Sequence, residues 1–367
     1  MTTGYVGTTT AISAADLPAF YEGATFYAPA VGEASRTTIL SWVTGLLEDH
    51  GPVPVLRPDN VEPDTWAASL CCIGSGAAMA DLPPAGDEFM VGVQELERTV
   101  GHRFGALYPL AAATISAVVP LAAAAQLGLP LLDGDGMGRT FALMHHTAMH
   151  LGGVAPSPVV MRGATGETIV ITADLPYRID ALARRSVEVL GGWAAFVGYP
   201  APVGRLRDAL LIGTVSRLLN VGRLLLESRD ADTLLTRLSV LTGCRRIGRG
   251  RIVELEHLSR PTDMTIPAHP SSVILTEISG AGRLFRLELR SEIVAVFADG
   301  AMAAATPDLI CLVDVLSGRV ASLDSLQPGT VVDIVATPAD AAWYSPQGLA
   351  MVGPATHGIP LPHPRQR

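Results

Sequence analysis

Not one lysine occurs among the 367 residues, so all 26 basic side chains are arginine. A pyridoxal-phosphate Schiff base, a P-loop lysine and a kinase-type ATP lysine are therefore excluded from within this chain. Aromatic residues are also few, at 5%, and the net charge is −9. There is no basic stripe interleaved with aromatics, which argues against nucleic acid as a partner. Only four cysteines are present: Cys71, Cys72, Cys244 and Cys311. Neighbouring Cys71 and Cys72 could form only a strained vicinal disulfide, and no secreted framework pattern is seen. The opening segment MTTGYVGTTTAISAADLP lacks a basic stretch and an apolar core, so it does not read as a signal peptide. A reducing, cytoplasmic setting is expected.

Charge is also missing from the whole stretch Gly105 to Leu132, which is long enough to span a bilayer. Pro109, Pro120, Gly128 and Pro130 punctuate it, however, and alanine dominates over leucine. It reads as a buried strand (ALYPLA), a helix (SAVVPLAAAAQLG) with proline near its start and glycine past its end, and a second strand (LPLLD). No membrane partner is expected.

Hydrophobic residues make up 49% of the chain and charged residues 17%, enough apolar material for a large core. Helical spacing is read over 14–28 and 36–49, and in EFMVGVQELERTVG. PVPVL and WAASLCCIG are short apolar strands. Strands alternating with helices imply a largely parallel sheet covered on both faces. PVVMRG-ATGE-TIVITAD reads as a hairpin turning at Thr165-Gly166. RIDALARRSVEVLGG, VGRLRDALLIGTVSRLLNVGRLLLES and DADTLLTRLSVLTG read as helices. From Arg246 onward short strands dominate: RIVELEHLS, SSVILTEI, LFRLELRS, IVAVFADG, DLICLVDV and TVVDIVAT. The expected fold class is α/β plus β, an N-terminal α/β sandwich followed by a smaller antiparallel β-barrel-like domain. The expected organisation is an α/β domain over 1–175, a helical segment over 176–245 and a mainly β domain over 246–367.

One stretch concentrates polar chemistry: LLDGDGMGRTFALMHHTAMHLGG, Leu131 to Gly153. Asp133 closes a buried strand, and Gly134, Gly136 and Gly138 then alternate, indicating a tight turn with positive φ or close packing. Ligands gather at the carboxyl ends of strands in open α/β sheets. One reading makes Asp135 a general base or ligand and Arg139 an anion anchor at the start of a helix. The other has Asp133 or Asp135 capping that helix and pairing with Arg139. The pattern is not G-x-G-x-x-G, so NAD is not expected. If the following residues are helical, His146 and His150 stand at i,i+4, a spacing able to hold a divalent metal such as zinc. Thr147 occupies the place of the glutamate in H-E-x-x-H. Cys71 or Cys72 could face the same crevice, just before the loop that holds Ser75, although buried cysteines are more often plain core residues.

GLPLLDGDGMGRTF, LPPAGDE, TPDLICLVDVLSGR and GLAMVGPATHG, in that order along the chain, resemble the S-methyl thiohydantoin desulfurase-like family. It was long known only as a domain of unknown function, DUF917. The resemblance covers nearly the whole chain. It implies an α/β domain plus a small β domain, and chemistry on five-membered cyclic amides and thioamides. It also implies a hydantoinase- or oxoprolinase-like partner. A homo-oligomer is expected besides. The sequence departs from the family at several places. The usual glycine run is here FYAPAVGEA, Phe26 to Ala34, and P-I-E-I-G-G reads PLAAAT, placing Ala111 for the glutamate and Ala113 and Thr114 for the glycines. Leu143 replaces a carboxylate and His145 a glutamine. The expected site therefore comprises Asp135, Arg139 and His145 for catalysis and Asp133, Gly134, Gly136, Gly138 and Ser75 around the substrate. His146 and His150 are the candidates for a metal. A divergent hydrolase or lyase, a ligand-binding homologue and a supporting subunit are the three readings.

Overall fold

The computed structural model of the protein describes residues 10–28, 35–228, 230–257, 271–290 and 292–364. They fall into two compact units, 10–24 with 35–220, and 25–28 with 221–364. The family's glycine-run position therefore lies mostly outside the described residues.

In the first unit, β1 (Thr10–Ile12) leads through a Ser13–Asp16 capping box into α1 (Leu17–Phe26). In α2 (Arg36–His50), Ile39, Val43 and Leu47 recur every four residues and bury one face. β2 (Val53–Leu56) and β3 (Trp66–Gly74) are the expected apolar strands, followed by α3 (Gly76–Asp81) and α4 (Glu88–Val100). β4 (Phe104–Pro109) precedes α5 (Thr114–Leu127), which Gly128 ends in the left-handed conformation. Pro120 is thus the seventh residue of α5, not near its start. β5 (Leu131–Leu132), β6 (Gly134–Asp135) and the one-turn α6 (Ala148–Leu151) follow. β7 (Val159–Gly163) and β8 (Thr168–Ile171) form the expected hairpin, α7 (Pro176–Val189) the expected helix.

Two stretches after α7 differ from the sequence reading. WAAFVGYPAP forms a ten-residue strand, β9 (Trp193–Pro202), although two prolines and Gly198 obscure its pattern. It runs antiparallel to β3 and carries a bulge opposite Ala67–Ser69. The stretch expected as one helix over 203–228 breaks into α8 (Val203–Leu206), β10 (Leu211–Ile212) and α9 (Thr214–Glu227). The break is tertiary in origin, because Leu211 and Ile212 pair with Asp135 and Gly134.

The main sheet has the order β1-β2-β5-β4-β3-β9-β7-β8. Only the block β2-β5-β4-β3 is parallel, and β1, β9, β7 and β8 extend it with antiparallel pairings. The sheet is therefore mixed where a largely parallel one was expected. A β7–β8 hairpin supplies two of the added strands, and α7 crosses from β8 back to β9 on the other side of β7.

The second unit contains α10 (Ala231–Thr242) and β11 (Arg245–Glu256), β12 (Ser272–Glu277), β13 (Leu284–Leu289), β14 (Ile293–Ala298), β15 (Ala301–Ala305), β16 (Leu309–Asp314) and β17 (Val331–Thr337), then α11 (Pro346–Val352). The strands pair in the order β15-β14-β13-β12-β11-β17-β16, all antiparallel. The sheet curls so that β16 also approaches β14 and β15, a half-barrel around Ile252, Leu275, Phe285, Leu312 and Ile334. β15 (AMAAA) is too alanine-rich to read as a strand and is held by its partner. Asp333 is buried on β17 and bonds Arg249 at 2.8 Å and Arg246 at 3.0 Å.

Candidate functional site

The turn after β5 is almost wholly internal. Asp135 is 0% exposed, and its Oδ2 accepts amide hydrogens from Ala112 at 2.6 Å, Met137 at 3.1 Å and Gly138 at 2.8 Å. Gly138 has φ +73°, the left-handed geometry that turns its amide back onto the carboxylate. Gly136 is fixed by proximity, since a Cβ there would stand 2.6 Å from the Met149 methyl and 3.0 Å from the Leu110 carbonyl. Gly134 lies in β6 against β10. Asp133 reaches another element: its carboxylate accepts from Ser216 N at 2.9 Å and Ser216 Oγ at 2.7 Å, capping the first turn of α9. No helix starts at Arg139, whose buried guanidinium bonds Thr140 O and lies 5.0 Å from the Phe141 ring centre. Arg217 Nη2 donates to Gly138 O at 3.0 Å. The helix expected after Arg139 is thus replaced by a turn with a dense internal hydrogen-bond set, and the capped helix is α9.

The histidines stand on the segment that leaves this turn. Residues 140–147 are not helical, and α6 holds only Ala148–Leu151, so the i,i+4 face expected for His146 and His150 is not formed. Thr147 caps α6 by accepting from His150 N at 3.0 Å, which starts the helix between the two histidines. The ring centres of His145 and His146 are 4.8 Å apart, and those of His145 and His150 6.5 Å. Among the described residues no group of three or more His, Cys, Asp or Glu converges as metal ligands.

His145 is half-buried, and its Nδ1 is buried without a hydrogen-bond partner. Burial holds its pKa below the ordinary 6.5; His150 and Arg184 push the same way, and Asp180 opposes them. The neutral imidazole is therefore favoured, a form able to take up a proton. α7 supports this segment: Asp180 accepts from Met144 N at 2.8 Å and from Arg184 Nε at 2.9 Å, and Arg184 also bonds Ala142 O. Tyr199, at φ +51° on β9, donates to Met144 O at 3.3 Å and accepts from Thr147 Oγ1 at 3.3 Å. Burial raises its phenol pKa, so the hydroxyl keeps its proton. Asp180, Arg184 and Tyr199 did not emerge from the sequence, and Thr147 did so only as the residue in place of a glutamate. The i,i+4 spacing of Asp180 and Arg184 was the one signal present; Tyr199 carried none.

Cys71 lies buried in β3 beside this group, and burial together with Cys72 pushes its thiol pKa up. Cys72 is pushed up to about 12, by burial and then Glu88. Neither has the lowered pKa of a poised nucleophile. Ser75 caps α3, its Oγ accepting from Ala77 N at 3.2 Å and Ala78 N at 3.4 Å.

At the loop after β4, Ala111 and Ala113 are buried, and Thr114 takes φ +42°. This is a conformation that favours glycine, kept at a position where the resembled family has one.

Family models described as "S-Me-THD-like, N-terminal domain" and "S-Me-THD-like, C-terminal domain" match residues 15–173 and 174–364. No curated protein matches the chain. Among solved structures, a crystal structure of a protein from Chromobacterium violaceum is similar with a TM-score of 0.78 and 19% identity, covering 97% of this chain and 99% of that one. At that identity the likeness shows the fold alone. Among the described residues no helix is long and apolar enough to cross a membrane.

Proposed function

Because the chain belongs to the S-Me-THD-like family, we propose that it is an enzyme acting on a small five-membered cyclic amide or thioamide, with His145 as the proton-transfer group. The observation that carries this reading is the state of His145: a half-buried imidazole, kept neutral, with an unpaired buried Nδ1, on a segment braced by Asp180, Arg184 and Tyr199. A neutral imidazole beside a ring C=S or C=O takes a proton from an attacking water as its oxygen bonds to the ring carbon. The same proton then passes to the departing sulfur or nitrogen, so hydrolysis of a thioamide yields the amide and sulfide. Asp135 acts here as a positioning residue: with its carboxylate bound by backbone amides, it fixes the turn from which residues 140–150 extend. Arg139 and Thr140 border the same segment, and Arg139 is the candidate contact for an anionic or amide part of the substrate.

Purified protein should consume thiohydantoin or hydantoin substrates, followed by loss of ring absorbance and by sulfide or ureido product. A His145→Gln variant with an intact circular dichroism spectrum should lose about 10²–10⁴-fold in kcat/KM. Full activity in that variant would remove His145 from the chemistry. A second reading, a non-catalytic subunit of a hydantoinase-like partner, is favoured by one observation: both aspartates of the turn are bound inside the fold. It predicts no turnover by the chain alone and turnover restored by the partner.

A further inference from the structure

The main sheet ends at β8, and nothing among the described residues pairs with its outer edge. Soluble proteins blunt such edges with charge, proline or bulges. Thr168 to Thr172 read TIVIT, with none of these devices, and Val170 is 45% exposed.

The helix beside this edge is also incompletely covered. Leu175, Leu182 and Val189 are 49, 48 and 73% exposed. Leu182 and Val189, seven apart on α7, lie within about 20° of one another, roughly opposite Arg184, and Leu175 stands at the N-cap just before the helix. Arg184 and Asp180 face the 142–144 segment, toward the middle of the sheet. The leucine–valine stripe therefore faces away from that segment, on a helix that packs against β8. Among the described residues, three charges on this border make no salt bridge, although Arg162 lies close enough to Glu167 to favour its charged form. Among the described residues, Arg162 donates to Gly166 O and Thr168 Oγ1 and its Nε has no acceptor; Arg178 lies over its own Tyr177 ring, and Asp174 accepts no hydrogen bond.

The geometry points to a second copy of this chain as the occupant, joined by a two-fold axis through β8 and α7. The apolar residues are spaced symmetrically about Leu182, so an antiparallel pair of α7 helices sets Leu182 on Leu182 of the second copy and brings the N-cap Leu175 toward its Val189. An antiparallel β8 pair centred on Val170 sets Gly166 opposite Asp174 of the second copy. Because the Arg162 guanidinium lies over Gly166, Arg162 of each copy then meets Asp174 of the other. One symmetry operation thus pairs the backbone edge, the apolar stripe and both charges, as an isologous interface requires.

Sedimentation velocity of the untagged full chain at micromolar concentration tests this. A dimer is expected, which Leu182→Glu and Asp174→Arg each weaken about tenfold or more and which adding Arg162→Asp to Asp174→Arg restores. Both sites are at the surface, so folding should be kept, checked by circular dichroism. An independent readout is Leu182→Cys, which should give a disulfide-linked dimer on mild oxidation, while wild type, with its cysteines mostly buried, should not. A monomeric wild type overturns the proposal. So does a dimer indifferent to Leu182→Glu, or one whose charge swap fails to restore it. The assembly is independent of catalysis: an inactive dimer leaves it standing and counts only against the proposed chemistry.

Discussion

Asp135 and Ala112 are joined across two loops: the carboxylate of one accepts the amide hydrogen of the other at 2.6 Å, tying the turn after β5 to the loop after β4. Met137 and Gly138 donate to the same oxygen. Each buried donor left without an acceptor costs about 1–3 kcal/mol, so Asp135→Ala should lose several kcal/mol and accumulate poorly. Asp135→Asn, which keeps one acceptor oxygen, should fall between this and wild type. Chemical denaturation followed by fluorescence and circular dichroism measures both. An Asn variant as stable as wild type but inactive would move the carboxylate from architecture into chemistry.

The pH dependence of His145 has a definite sign. Its folded pKa lies below 6.5, so between that value and 6.5 the unfolded chain binds more protons. Stability from the neutral imidazole is present above pH 6.5 and is lost as pH falls. The stability advantage of wild type over His145→Gln should accordingly shrink from pH 7 to pH 5, seen in parallel thermal melts. If His145 is the base, the acidic limb of the kcat/KM profile should also lie below 6.5.

Thr114→Gly should stabilise the protein. A β-branched residue in the left-handed region costs about 1–2 kcal/mol, and glycine gives back about 0.5–1 kcal/mol through the unfolded chain. A net gain of about 0.5–1 kcal/mol is expected, read as a higher denaturation midpoint. A lower midpoint would mean that the threonine side chain contributes more than its backbone strain costs.

In the half-barrel, Asp333 is fully buried and shared by Arg246 and Arg249, which remain partly exposed. Replacing Asp333 with Ala should cost about 2–4 kcal/mol, since each guanidinium keeps some access to water. Asp232, an exposed neighbour bonded to the same arginines, should cost under about 1 kcal/mol when replaced. Urea unfolding of the two variants compares them directly, and equal losses would contradict the role given to burial.

Local pattern was enough for most elements. β3, α4 and α10 could be read from apolar spacing and from the glycines at their ends. β9 could not, because its prolines and glycine are tolerated only where a bulge and two neighbouring strands hold the backbone extended. The site was legible as a place but not as a set of roles. Asp133 and Asp135 look alike in sequence, yet one caps α9, eighty residues on, and the other gathers amides around itself. His146 and His150 had the spacing of a shared helical face, but the Thr147 cap starts α6 between them. His145 stood out only as a departure from the family, and the residues that brace it come from β9 and α7.

The amide cradle around Asp135 also bears on how such proteins are grouped. A G-D-G-M-G turn held by its own backbone survives wherever the fold survives, whatever happens to the reaction. A search keyed to that turn therefore selects for a shape and does not by itself sort active chains from silent ones. Sorting them calls for the residue at the position of His145, seven places beyond Gly138, the last link of the turn to Asp135.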